Sequence, residues 1–316
     1  SNFITSLFFI FCIMRIFITG GAGFIGIHLC KKLLELNHDV TVYDNFSNSL
    51  RENFDSEINQ KVTVVSGDIL DISKLVTSMQ NHDVVIHLAA QISVPESVKN
   101  PKFTFDVNVN GTKNVLEACE KNNISKIIAS STAAVYQNVS EKTILDESSV
   151  TKPSSPYGSS KLEMENMIND FTQTHNVNAI ILRLFNVYGI GQSPEYAGVI
   201  TKFLSDIKSN NSLTIFGDGS QTRDFVHVND VVSAIILSID SSNFGLYNVA
   251  TGKSVTILDL AHLLIEQSKK KLDVVFEEQQ KGDIKFSHAS ISKINQNLAF
   301  FPEYVIADGL KTLVKS

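Results

Sequence analysis

From Arg15 onward, short β-branched apolar runs alternate with longer segments of helical period, and that alternation restricts the fold more than any single residue. RIFIT (15–19) reads as a strand and FIGIHLCKKLLEL (24–36) as an amphipathic helix. DVTVYD (39–44), VTVVSGD (62–68) and VVIHLAA (84–90) follow as strands. PKFTFDVNVNGTKNVLEACEKN (101–122) reads as one long helix, and KIIASS (126–131) as the next strand. Strand–helix alternation predicts an α/β fold: a doubly wound parallel sheet with helices on both faces. Strands that are apolar nearly throughout fit a sheet buried on both sides. Beyond Tyr188 the spacing loosens and Gly, Ser and Asn become frequent, which predicts a smaller, discontinuous α+β lobe.

The bulk numbers exclude several classes. The chain has 316 residues, 43% of them hydrophobic and 19% charged, enough for one large domain or two intimate ones and too apolar for disorder. A formal net charge of -6 with no basic run argues against nucleic acid as a partner. Cys12, Cys30 and Cys119 form no CxxC pair, and the histidines show no HExxH spacing. This predicts buried thiols in a reduced, cytoplasmic compartment and no metal. Ser1 to Met14 carries the uncharged run LFFIFCIM, shorter than a membrane span and without the charged flank of a secretory signal. Residues 1–13 read as an apolar extension ahead of the natural start. A weakly membrane-associating segment is the alternative; stable membrane insertion is not expected.

TGGAGFIG, Thr19 to Gly26, lies between the first strand and the first helix. Gly20 suits the tight turn, Gly23 a close approach to a pyrophosphate, and Gly26 the packing of helix on strand. The helix N-terminus then offers free N–H groups to phosphates. Asp44 ends the second strand about twenty residues further on, where a carboxylate accepts from an adenosine ribose 2′-OH and repels a 2′-phosphate. These features predict dinucleotide binding, with NAD favoured over NADP. Asp68, in SGDI, reads as a contact near the adenine or as a simple loop aspartate.

SPYGSSK, Ser155 to Lys161, places Tyr157 and Lys161 one turn apart on a helix. An ammonium beside a phenol favours the phenolate and lowers its pKa from about 10. A tyrosinate can then take a proton from a sugar or alcohol hydroxyl. SSTAAVY (130–136) sets the hydroxyls of Ser130, Ser131 and Thr132 at a strand end, followed by two alanines. It reads either as a strand leaving the core or as a catalytic hydroxyl with no acid beside it.

TGGAGFIG, HLAAQ (87–91), NVNGT (108–112), SSTAAVY, YGSSK (157–161), RLFNVYG (183–189), GDGSQTRDFVHVND (217–230) and YNVATG (247–252) occur in the order seen in the extended short-chain dehydrogenase/reductases. The chain resembles that family from Met14 to its C-terminus and is most similar to its UDP-glucose 4-epimerases. The resemblance implies a Rossmann NAD-binding domain over 14–185 plus 225–250 and a nucleotide-sugar lobe over 186–224 plus 251–316. It implies Tyr157 as acid/base, Lys161 as its partner on the nicotinamide ribose, and Thr132 bridging the sugar 4-OH to Tyr157. The implied cofactor set is Gly20, Gly23, Phe24, Ile25, Asp44, Asn45, Asp68, Ile69, Leu88, Ala89, Ala90 and Asn108, with Tyr157 and Lys161. Asn186, Phe216, Arg223 and Ser287 join Thr132 in the implied substrate set; Asp230 and His227 read as structural.

Dehydratases of the family carry two acids after the threonine, and decarboxylases a glutamate in that turn. Ala133 and Ala134 stand there instead, which disfavours elimination. The implied reaction is interconversion of UDP-glucose and UDP-galactose through a 4-keto sugar. The rivals are a uronate epimerase, a 4-keto-sugar reductase and a non-catalytic NAD-binding protein. Two departures stand out. The family's diphosphate-gripping RPGDV reads QKGDI (280–284), with Gln280 in place of the arginine and Lys281 or Lys285 as substitutes. Ser287 stands where a large aromatic narrows the sugar pocket, implying room for an N-acetyl group. The resemblance also implies a homodimer built on the helices at 101–121 and 157–174; a monomer is the alternative.

Overall fold

The computed structural model describes residues 13–54, 56–139, 142–193, 198–279 and 284–315. Residues 1–12 of the apolar extension, Cys12 among them, and Gln280 and Lys281 lie outside the described residues.

Seven strands form the central sheet: β1 (Arg15–Thr19), β2 (Asp39–Asp44), β3 (Thr63–Ser66), β4 (Val84–His87), β5 (Lys126–Thr132), β6 (Asn178–Leu184) and, after three strands that lie outside it, β10 (Gly245–Val249). Their order is β10-β6-β5-β4-β1-β2-β3, and every neighbouring pair is parallel. The chain winds outward from β1 in one direction through β3, then restarts at β4 in the other. The switch point therefore lies between β1 and β4, and in such sheets ligands bind outside the carboxyl ends of the strands.

Alternation along each strand feeds two cores. Ile16 and Ile18 of β1 face the helices Phe24–Glu35 and Val228–Asp240, packing with Leu29, Leu33, Val231 and Ile235. Phe17 faces the opposite layer, where Leu75, Val115, Leu116, Met164 and Ile168 come from the helices Ile72–Ser78, Gly111–Lys121 and Pro156–Thr174. The doubly wound α/β sheet is thus the observed fold, with β3 as its thinly covered edge.

A further core gathers Tyr188, Phe203, Leu213, Ile215, Phe225, Leu260 and Leu310. It lies among β7 (Asn186–Tyr188), β8 (Leu213–Phe216), β9 (Thr222–His227), β11 (Ser254–Thr256) and β12 (Val274–Glu277). These form a three-stranded sheet, β11-β9-β7, and a two-stranded one, β12-β8.

Three predicted bounds shift. The strands expected over 62–68 and 84–90 end at Ser66 and His87, because the chain turns away at the sheet's carboxyl edge to form loops. The helix expected over 101–122 is interrupted: Pro101–Phe105 and Gly111–Lys121 flank a π turn, Asp106–Asn110. Such a turn holds one extra residue, and here buried Asn108 is hydrogen-bonded inward. Among the described residues no helix is long and apolar enough to cross a membrane.

Candidate active site

The glycine loop leaves β1 at Gly20, whose φ of +70° suits a residue without a side chain. Its N–H donates to the Tyr43 carbonyl at 2.9 Å. Gly23 is the N-cap of Phe24–Glu35, with no side-chain cap and no acid in the first turn. The amides opening this helix are therefore left for an external acceptor, which suits a pyrophosphate at Gly23, Phe24 and Ile25. A Cβ on Gly26 would lie 2.4 Å from the Gly21 carbonyl oxygen, so helix and loop touch backbone to backbone.

Asp44 is already at work on this loop. One carboxylate oxygen accepts the Ala22 N–H at 3.0 Å, the other the Phe46 N–H at 2.8 Å. Asp68 accepts from Asn45 at 3.0 Å and from the Leu70 N–H at 2.9 Å, tying the ends of β2 and β3 together. Ile69 is buried against Gly111.

Leu88 and Ala89 begin the loop after β4, held by Thr19: Leu88 N–H donates to its carbonyl at 3.0 Å, and Ala89 N–H to its hydroxyl at 3.4 Å. Ala90 continues the loop, half-buried, to Gln91. Behind them runs a buried chain that the sequence did not single out. Thr112 donates its hydroxyl proton to the Asn108 carbonyl at 2.7 Å. Its oxygen must then accept from His87 Nε2–H, 2.9 Å away, leaving Nδ1 to accept from Thr19 Oγ1 at 2.7 Å. The tautomer is fixed by the network. Burial keeps the ring neutral, pushing its pKa down to about 3, with the Lys161 charge adding to the effect. Asn108 accepts the Gln91 N–H at 2.7 Å and donates to Ser160 at 2.9 Å, joining this loop to the helix of Tyr157.

That helix starts cleanly. Ser155 accepts the Gly158 N–H at 3.1 Å and Pro156 occupies the first turn. Tyr157 stands near Thr132 at the end of β5, whose hydroxyl favours the phenolate. Lys161 is buried and donates to the Ser130 carbonyl at 2.9 Å. The strand end and the helix thus bring Thr132, Tyr157 and Lys161 together. One expectation is corrected. Burial raises the Tyr157 pKa, with the Thr132 hydroxyl acting in the opposite direction, so the phenol is not lowered as the one-turn lysine spacing predicted. Lys161 itself is lowered to about 8 by burial, with Glu165 acting in the opposite direction.

Beside Thr132 opens a cavity lined by Ala133, Ala134, Gln137, Asn186, Arg223 and Ser287, among others. Arg223 is the one charged side chain of that lining among the described residues. Its guanidinium is braced by the carbonyls of Thr222 at 2.8 Å and Ile284 at 2.5 Å. Ser287 is buried, its N–H 3.4 Å from the Thr222 hydroxyl. Phe216 is not brought to this cavity; its ring sits under the Lys202 ammonium at 4.5 Å. Exposed Lys285, one substitute considered for the missing arginine, lies over the Phe286 ring at 5.8 Å. Among the described residues no cluster of three or more His, Cys, Asp or Glu could hold a metal ion.

A family model described as the NAD dependent epimerase/dehydratase family matches residues 16–250. The chain belongs to that family. The NAD-dependent epimerase/dehydratase assignment agrees with the uncapped glycine-loop helix, and the cofactor is NAD. The chain is similar to the UDP-N-acetylglucosamine 4-epimerase of Methanobrevibacter ruminantium, solved in complex with UDP-N-acetylmuramic acid. The two are 36% identical with a TM-score of 0.90, covering 96% of this chain and 97% of that one. It is similar to the Thermus thermophilus UDP-glucose 4-epimerase solved with NAD, at 32% identity and TM-score 0.88, covering 96% and 98%. It is also 32% identical to the UDP-glucose 4-epimerase of Azospirillum brasilense, over 94% of this chain and 89% of that protein.

Proposed function

We propose that this NAD-dependent enzyme is a nucleotide-sugar 4-epimerase acting on UDP-glucose and UDP-galactose and on their N-acetyl forms. The observation that carries the reading is the meeting of the Thr132 strand end with the helix of Tyr157 and Lys161, beside a cavity where the two residues after Thr132 are alanines. Tyr157 takes the proton of the sugar 4-OH as its phenolate, a form that the Lys161 ammonium and the positive charge of bound NAD would favour against the effect of burial, with Thr132 holding that hydroxyl, and later returns it. Bound NAD supplies a reversible hydride acceptor. The sugar is oxidised at C4 to a ketone, turns over in the cavity and is reduced on its other face, with no net redox change. Elimination needs an acid beside Thr132, and Ala133 and Ala134 can neither donate nor accept a proton. Lys161 holds the nicotinamide ribose, while Asn186 and Arg223 hold the diphosphate, an arginine fork suiting its oxygens. The names of the similar proteins support the epimerase reading.

A uronate epimerase is the second reading. With Arg223 assigned to the diphosphate, the described cavity lining offers no further cation to a C6 carboxylate, which favours a neutral hexose. The test is incubation with UDP-glucose, UDP-galactose, their N-acetyl forms and UDP-glucuronate, with products identified by NMR. Turnover of the uronate alone overturns the neutral-sugar assignment; stoichiometric consumption of added NADH or NADPH identifies a reductase.

Ser287 is assigned to the pocket beside C2. Ser287→Tyr is expected to cut turnover of UDP-N-acetylglucosamine by about tenfold or more while changing UDP-glucose turnover far less. An unchanged ratio of the two rates removes Ser287 from the sugar pocket.

Segments 14–185 plus 225–250 are assigned to NAD and 186–224 plus 251–316 to the nucleotide sugar, with the catalytic cavity between them. A homodimer is part of the same proposal. Val98 and Phe103 are 64% and 46% exposed on the helices Val94–Lys99 and Pro101–Phe105. These helices pack beside Pro156–Thr174 and leave an apolar face for a second copy. Sedimentation at the mass of a monomer would rule the dimer out.

A further inference from the structure

A buried ion pair lies directly behind the catalytic strand end. Glu165 stands one turn beyond Lys161 on the same helix, and Arg183 lies on β6; their side chains are 3% and 4% exposed. The contact is bidentate, with Arg183 Nε and Nη2 donating to the two Glu165 oxygens at 2.9 and 2.6 Å. Ser131, next to Thr132, donates to the same carboxylate. The Arg183 guanidinium also lies 4.7 Å above the Tyr136 ring, and the Tyr136 hydroxyl donates to Asn248 on β10 at 2.6 Å. One carboxylate thus joins the Lys161 helix, β5 and β6, and reaches β10 through Arg183 and Tyr136.

Stability alone is a poor reason for this arrangement. Removing two charges from water costs about what their attraction returns, and apolar side chains of similar volume often replace such a pair without loss. The placement suits another task. Glu165 stands one helical turn from Lys161, whose ammonium is itself buried and held by the Ser130 carbonyl. The titratable groups around Lys161 are Tyr157 and Glu165 on its own helix, His87 on β4, and Arg183 on β6 behind Glu165. His87 is neutral, locked by Thr19 and Thr112. Arg183 is spent on Glu165. That leaves the Glu165 carboxylate, one turn away, as the anion acting on Lys161, raising the lysine pKa against the effect of burial.

We infer that Glu165 is a positioning residue: its carboxylate fixes the Thr132 strand end against the Tyr157 helix and holds Lys161 in its charged form. The inference rests on reading Thr132, Tyr157 and Lys161 as the catalytic group.

Its test uses NAD-loaded protein and two readouts. The Lys161 side chain is titrated by NMR of lysine labelled at Cε, its signal assigned with Lys161→Met, and the pH profile of kcat/KM is measured on the substrate panel above. Glu165→Gln leaves Arg183 buried without its partner and is expected to be strongly destabilised. The decisive variant is therefore the double replacement Glu165→Met with Arg183→Met, which removes both charges and keeps the volume. It is expected to fold, with the Lys161 titration and the alkaline limb of activity both about one pH unit lower than in the parent. The sign follows from the loss of the Glu165 anion, which acts on Lys161 where Arg183 behind it does not, so the ammonium gives up its proton earlier. Glu165→Asp, which retains the charge, is expected to keep the parent titration and lose only rate. A Lys161 titration unmoved in the double variant, or moved equally by Glu165→Asp, overturns the inference and leaves the pair a structural one. If the double variant fails to fold, the Asp variant decides alone: a lowered titration overturns the inference. A parent that turns over none of the sugars refutes the epimerase reading instead, and the NMR titration still decides the role of Glu165.

Discussion

Tyr157→Phe is expected to lower turnover of the active UDP-sugar by at least about 100- to 10,000-fold while leaving NAD bound. That range is what a positioned general acid or base contributes. It corresponds to about 3–5 kcal/mol at the transition state. The variant loses one oxygen atom, and the phenyl ring still fills its part-buried place at the head of the helix Pro156–Thr174. The loop that would hold the pyrophosphate is braced by Asp44 and by the Thr19–His87–Thr112 chain, none of which touches the phenol. Binding and chemistry should therefore separate. The check is a rate measurement on protein whose bound NAD is quantified after gel filtration. Near-parent activity removes Tyr157 from the proton path. Loss of NAD together with activity shows instead that the hydroxyl supports the cofactor site.

Legibility in the sequence followed the range of the interactions. Strand–helix alternation is local, so the parallel sheet could be read from residues 15–131. The glycine loop, Asp44 and the one-turn spacing of Tyr157 and Lys161 are local too. Three features depend on distant partners or on solvent exclusion. Glu165 and Arg183 look unexceptional one at a time, although an arginine inside the apolar run NAIILRL of β6 was a usable hint of a buried partner. His87 ends an apolar strand, and nothing nearby in sequence announces that Thr19 and Thr112 will fix its tautomer. The direction of the Tyr157 pKa depended on burial, which a one-turn spacing cannot report. The π turn at Asp106–Asn110 escaped for a related reason. Its residues have ordinary helical periodicity, and Asn108 is drawn inward by Gln91 and Ser160 from other elements.

Gly20→Ala is the variant with the largest expected effect on cofactor retention. Two costs coincide at this position. The backbone φ of +70° is strained for any residue with a Cβ, a penalty of about 1–2 kcal/mol. The added atom would also lie 2.5 Å from the Ala89 nitrogen, 2.7 Å from its Cα and 2.8 Å from the Leu88 carbonyl carbon. Those neighbours are main chain and cannot rotate aside. They are tied through Ala89 N–H to Thr19 and so to the buried His87 chain, which means the loop after β4 moves only by breaking that chain. The loops after β1 and β4 flank the switch point, and separating them opens the place where the NAD-binding loop is formed. The expected result is a stability loss of about 2–4 kcal/mol and protein that emerges from gel filtration without NAD. Gly191→Ala is the control that isolates the steric part. Its φ is +89°, yet a Cβ there meets nothing within 4 Å. It should incur the backbone strain alone, destabilise by about 1–2 kcal/mol, and keep its cofactor. If both variants lose equal stability and both retain NAD, the contact with Ala89 is not what requires glycine at position 20.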